Sequence, residues 1–214
     1  MSNFGVRRLR VVNPYEVAFR EARSAVGASE VLKNAEEYPT IADAVADCSL
    51  VVGTTTLRSR ERQHPMHRLE DGVRRIRTTL AKQTVAILFG SEKVGLSNVD
   101  LSHCHWLMHI PTREEHPSMN LGQAVAVCLY EIARNEKVQA SANKDLLAAA
   151  GELERLTEML LKTLHESGYF EQSTASNELK IRRLVRRLNL HADDAELMLG
   201  MLRQILWKIG PTEK

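Results

Sequence analysis

The chain has 214 residues, 43% hydrophobic and 26% charged, with a formal net charge of +2. These are globular proportions, for one domain with a small appendage, and they exclude a disordered, collagenous or mucin-like chain. Charge interrupts every apolar stretch well short of the ~18 residues a membrane span needs. The opening Met1-Ser2-Asn3-Phe4-Gly5 has no apolar leader behind it, so no signal peptide is read and a cytoplasmic protein is expected.

Leu9–Val12 is the first of four short runs that read as strands, followed by Leu50–Val52, Thr84–Phe89 and Trp106–Ile110. Val51-Val52 and Val85-Ala86-Ile87-Leu88-Phe89 are continuously apolar, as strands covered on both faces of a parallel sheet are. Helical patterns fall between them at Glu16–Val26, Ile41–Asp47 and Leu69–Ala81. Strand and helix in alternation predict an α/β fold, a parallel sheet with helices on both faces. Leu121–Ala133 is apolar around its whole circumference and must be covered all round. A dimer contact through this helix and a helix sandwiched within one chain both satisfy that requirement.

Residues 135–150 are rich in Ala, Asn, Lys, Gln and Ser and read as a linker between a first domain, 1–134, and an all-helical C-terminal extension, 151–214. Three apolar stripes mark that extension: Leu153, Leu156, Leu160 and Leu164; Ile181, Leu184, Val185 and Leu188; and Leu197, Met201, Leu202, Ile205 and Ile209. Three helices are marginal alone, so they are expected to dock on the first domain or on a partner subunit.

Cys48, Cys104 and Cys128 are too few and too scattered for a disulfide framework and are expected as reduced thiols. The near-neutral net charge argues against a protein that coats nucleic acid by bulk charge. The distribution says more: residues 57–77 hold seven arginines against three acids, and Lys180, Arg182, Arg183, Arg186 and Arg187 cluster near the end. Such local patches suit a phosphate backbone touched at particular places. Lys180, Arg183 and Arg187 share one helical face, expected opposite Ile181, Leu184 and Val185.

No G-x-G-x-x-G, Walker-type phosphate loop, C-x-x-C or H-E-x-x-H occurs. His103 and His105 could share a strand face, but a zinc site needs two further ligands, so no metal is expected. Gly53-Thr54-Thr55-Thr56, Gly90–Leu96 and Pro111–Asn120 follow predicted strands, and in parallel α/β sheets ligands sit beyond the carboxyl ends of strands. Asn120 with Gln123 has the form of a capping box, and a helix N-terminus offers free amide donors to a polar group.

Leu88-Phe89-Gly90-Ser91-Glu92-Lys93-Val94-Gly95-Leu96-Ser97-Asn98 resembles the second motif of the SpoU/TrmH-type RNA 2′-O-ribose methyltransferases of the SPOUT superfamily. Ile110-Pro111 to Pro117-Ser118-Met119-Asn120-Leu121, running on to Tyr130-Glu131, resembles their third motif, and Ser49–Thr55 the strand and loop before them. Within that branch the chain is most similar to the bacterial tRNA (cytidine/uridine-2′-O)-methyltransferases acting on position 32 of the anticodon loop. The resemblance implies a C-terminal trefoil knot, a homodimer and S-adenosylmethionine (S-adenosyl-L-methionine) held by Thr54, Thr55, Thr56, Gly90, Ile110, Pro117, Ser118 and Met119. It implies catalytic roles for Glu92, Ser118 and Asn120, and tRNA phosphates gripped by Arg58, Arg60, Lys180, Arg183 and Arg187. The family's first strand and its N-x-G…A-R motif, with an arginine that activates the 2′-hydroxyl, find no match from Met1 onward; Arg7, Arg8 and Arg10 do not stand in its position. That omission predicts an exposed sheet edge and slow methylation. It keeps two other readings open: an RNA-binding or dimer-partner protein derived from such an enzyme, and a related enzyme acting on ribosomal RNA.

Overall fold

The computed structural model describes residues 1–13, 29–56, 64–116, 118–134, 146–170 and 174–209. The expected helix Glu16–Val26 lies outside them. A four-stranded, all-parallel sheet forms the centre, in the order β4 (Met66–Arg68), β6 (Trp106–His109), β3 (Leu50–Thr54), β5 (Val85–Leu88). β1 (Arg10–Val12) and β2 (Glu36–Tyr38), the latter preceded by the short helix α1 (Ser29–Lys33), pair in parallel as a separate ribbon. Sequence periodicity therefore found β1, β3, β5 and β6. It missed β2 and β4, which carry the polar residues Glu36, Glu37, His67 and Arg68.

The pleat sorts the sheet's side chains into two cores, because successive residues of a strand point to opposite faces. Val51 and Leu107 join Val45, Cys48, Leu101 and Cys104 on one face, under α2 (Ile41–Val45) and α4 (Asn98–Ser102). Leu50, Val52, Trp106 and Met108 join Val73, Ile76 and Cys128 on the other, under α3 (Leu69–Leu80) and α5 (Leu121–Ala133). Helices thus cover both faces, as expected. Gly72 lets α3 lie close to the sheet, since a Cβ there would come within 2.9 Å of the Trp106 ring.

The helix α5 buries Cys128 and Leu129 but leaves Val127 36% and Tyr130 54% exposed. Within a single chain it is therefore covered on one side. Arg77 donates to the carbonyls of Glu131 and Ile132 at its C-terminal end, where a cation is favoured by the helix dipole.

The extension is docked on the first domain rather than tethered to it. The amides of Ala150 and Gly151 donate to the carbonyls of Cys48 and Ala46 at 2.8 and 2.9 Å. Gln83 clamps Leu147 from both sides, its Nε2 donating to the Leu147 carbonyl at 2.9 Å and its Oε1 accepting from the Leu147 amide at 3.1 Å. The segment read as a linker is therefore fixed from Leu146 onward. α6 (Ala150–Glu166), α7 (Ala175–Arg187) and α8 (Ala192–Ile209) enclose a third core around Leu153, Leu156, Val185 and Leu199.

The basic face of α7 does not lie as the sequence predicts. Arg186 is fully buried, donating to the Ala150 carbonyl at 3.1 Å and to Glu154 at 3.0 Å. Arg183, expected at the solvent among the RNA contacts, is 8% exposed and donates to the Asn98 carbonyl at 3.4 Å. Leu184 and Leu188, expected inside, are 41% and 48% exposed. Glu154 is the physical reason for Arg186: a half-buried carboxylate shared by Arg182 and Arg186 draws that side of α7 inward, where its charge is matched.

Candidate active site

Parallel strands send their carboxyl-terminal loops to one edge of the sheet, and here they are stitched together. Thr54, ending β3, donates its hydroxyl to the Leu88 carbonyl of β5 at 2.8 Å, and the Thr55 amide donates to the Met108 carbonyl of β6 at 3.0 Å. After β5 the chain turns tightly, the Gly95 amide donating to the Ser91 carbonyl at 2.8 Å. Gly90 makes this turn possible: a Cβ there would lie 2.0 Å from the Gly95 carbonyl carbon and 2.2 Å from the Leu96 amide nitrogen. Ser97 and Asp100 then form a capping box that starts α4.

After β6 the chain runs from Ile110 to Asn120, the N-cap of α5, whose side chain accepts from the Gln123 amide at 3.3 Å. Asn120 also donates Nδ2 to Glu92 Oε1 at 2.9 Å, and the Leu121 amide reaches the same oxygen at 3.3 Å. Glu92 therefore ties the second loop to the N-terminus of α5, where a carboxylate is favoured by the free amides.

The three loops enclose one cavity of about 350 Å³. Thr54, Thr55, Thr56, Gly90, Glu92, Ile110, Ser118 and Met119 all line it. Of the site residues expected at this pocket, Asn120 borders it through its bond to Glu92, and Pro117 lies outside the described residues. Phe89, Leu96, Thr112 and Ala124 line it as well but were not singled out from the sequence. They fall within or beside the flagged loops, and only their convergence in space picks them out.

Of the expected RNA contacts, Lys180 and Arg187 are exposed on α7, Arg183 is buried, and Arg58 and Arg60 lie outside the described residues. His64, directly after residues 57–63, is held at a pKa of about 4 by burial and by the nearby charges of Arg183 and Arg187. Arg8 and Arg10 are committed to ion pairs with Glu36 and Asp47. His105 is buried with Nδ1 accepting from the Val51 amide at 3.1 Å, which makes it a core residue.

A model of the SpoU rRNA Methylase family matches residues 1–130. The chain belongs to the SpoU methylase family. Two relatives align with nearly all of it: the tRNA (cytidine/uridine-2′-O-)-methyltransferases TrmJ of Sodalis glossinidius, 33% identical over 213 residues, and of Yersinia pestis (strain Pestoides F), 36% identical over 215 residues. Each alignment spans 96% of this chain and 83% of the relative. The crystal structure of TrmJ from Z. mobilis ZM4 superposes with a TM-score of 0.83 at 31% identity, over 96% of this chain and 89% of that one. A probable methylase family protein from Haemophilus influenzae Rd KW20 gives a TM-score of 0.56 at 27% identity. The likeness to TrmJ thus extends beyond the SpoU region into the C-terminal helices.

Proposed function

We propose that this protein transfers the methyl group of S-adenosylmethionine to a ribose 2′-hydroxyl of tRNA, on cytidine or uridine of the anticodon loop. The observation that carries the reading is the convergence of three strand-end loops on one cavity, with Glu92 and Asn120 joined at its border. The relatives' names supply the substrate class. The SpoU resemblance further implies that the chain threads these loops as a trefoil knot.

The cavity suits the donor on physical grounds. Its volume falls in the range of small-molecule sites, and its walls pair apolar side chains such as Leu96, Ile110 and Met119 with threonine hydroxyls and loop amides. A purine ring needs the first and a ribose the second. Gly90 keeps its loop closed against Gly95 and Leu96, which shapes the pocket floor. When bound, the donor would supply a methyl group on a sulfonium, already a good leaving group: the carbon–sulfur bond breaks as the carbon–oxygen bond forms, and the hydroxyl proton passes to solvent.

The protein's part is alignment, because a poorly nucleophilic hydroxyl reacts only when held in line with the methyl. Ser118, exposed at the rim, and Asn120 orient the ribose. Glu92 fixes Asn120 by accepting its amide hydrogen and so sets the angle at which Asn120 meets the sugar. Lys180 and Arg187, with Arg58 and Arg60, hold phosphates away from the reacting atoms. The open face of α5, with Val127 and Tyr130, is the homodimer contact. No described helix is long and apolar enough to cross a membrane, and a cytoplasmic setting suits both the substrate and three buried free thiols.

The family's description favours a second reading, with ribosomal RNA as substrate. Purified protein, methyl-labelled donor and either tRNA or ribosomal RNA separate the two. Label in 2′-O-methylcytidine or 2′-O-methyluridine from tRNA is the expected outcome. Label confined to ribosomal RNA selects the second reading, and no ribose label from either rejects both.

A further inference from the structure

Helix α8 carries two apolar faces, and the enclosed core uses only one. Ala195 and Leu199 are buried at 1% and 9% exposure, while Leu197, Met201 and Ile205 stand 59%, 53% and 45% exposed. At about 100° per residue, Asp194, Leu197, Met201, Ile205 and Lys208 lie within roughly 40° of one line along the helix. Asp194 and Lys208, both exposed, close the two ends of this stripe with opposite charges. A stripe with apolar residues in the middle, an acid at one end and a base at the other is complementary to itself only when reversed.

We propose that this face of α8 docks antiparallel on the same face of a second copy of the chain, about a two-fold axis through Met201. In that register Met201 meets its own counterpart, Leu197 meets Ile205, and Asp194 meets Lys208 at both ends. Such a contact is isologous, the same patch on both copies. A parallel pairing would set acid on acid and base on base, so the charges select the direction as well as the partner. The contact uses a different helix from the α5 dimer contact and does not depend on the methyltransfer reading.

Cysteine cross-linking tests both the pairing and its register. Helices pack at ~8–10 Å with Cα atoms on a radius of ~2.3 Å, so residues facing each other across the axis come within the ~4.4–6.8 Å Cα separation that a disulfide spans. Cys48, Cys104 and Cys128 are buried, and burial raises their thiols to about 11, 12 and 11, so they stay silent. At low micromolar concentration under mild oxidation, Met201→Cys should shift most of the chain to twice its mass on a non-reducing gel, and reductant should reverse the shift. Leu197→Cys alone should stay single, while an equal mixture of Leu197→Cys and Ile205→Cys proteins should cross-link. All three positions are exposed, so folding is retained, as circular dichroism would verify. A folded Met201→Cys protein that stays single overturns the proposal, whether the face takes another partner or none. So does Leu197→Cys linking to itself as efficiently as Met201→Cys does.

Discussion

Asn120 holds two jobs that substitution can separate. Its Oδ1 caps α5 and its Nδ2 donates to Glu92. Asn120→Asp keeps a capping oxygen but sets a second carboxylate against Glu92. Asn120→Ala loses both interactions, and a lost cap costs ~1 kcal/mol. Expected are a lowered melting temperature for Asn120→Ala, a smaller change for Asn120→Asp, and a ~100-fold or greater loss of methylation rate in both, since positioning errors near 1 Å cost that much. An Asn120→Asp enzyme with unimpaired turnover would remove Asn120's donor from the mechanism. Gly90→Ala acts differently, because the colliding atoms are backbone and the loop itself must shift. It should weaken donor binding by ~10-fold or more, a loss of ~1.4 kcal/mol, read by titration calorimetry.

At the scale of elements, α7 offers adjacent arginines with opposite fates. Arg186→Ala strips donors from the Ala150 carbonyl and from Glu154, leaves that half-buried carboxylate to Arg182 alone and empties a fully buried site. A cost of ~3 kcal/mol or more is expected, seen as an earlier denaturant midpoint. Arg187→Ala, at the exposed neighbour, should leave that midpoint within ~0.5 kcal/mol yet weaken tRNA binding and flatten its salt dependence. The contrast was not legible in the sequence. Periodicity places leucines inside and arginines outside, and it cannot see that Glu154 on another helix supplies the matching charge. β3, β5 and β6 were legible because a strand covered on both faces is apolar throughout. β2 and β4 were not, because three-residue strands of mostly polar side chains carry no period and are held by backbone pairing with strands remote in sequence. The loops of the site were legible through their glycines and motif residues, whereas the Glu92–Asn120 bond was not, since it joins loops that meet only through the sheet.

Across the whole molecule, buried imidazoles join the two cores of the catalytic body to the docked extension. Burial holds His64 at about 4 and His105 at about 3, and pushes His103 down beside Glu154, Arg182 and Arg186. In the unfolded chain each returns to the ordinary value of 6.5. Above that pH the rings are neutral in both states and the stability is fully present. As pH falls below it, the unfolded chain binds protons that the folded one refuses, and stability drops by ~1.4 kcal/mol per pH unit for each ring. Melting temperature should therefore be level above about pH 7 and fall steeply between pH 6.5 and pH 5. His105→Gln, which keeps an acceptor for the Val51 amide, should make that fall shallower; a profile level down to pH 5 would contradict the burial of these rings.

All of these features serve a sheet edge where three loops meet, and the claim that this edge holds a methyl donor is the one to measure first. Titration of S-adenosylhomocysteine into the folded wild-type protein should give saturable heat at one molecule per chain, reduced in Gly90→Ala. Folded wild-type protein that releases no heat with this ligand, or with S-adenosylmethionine, would contradict the account.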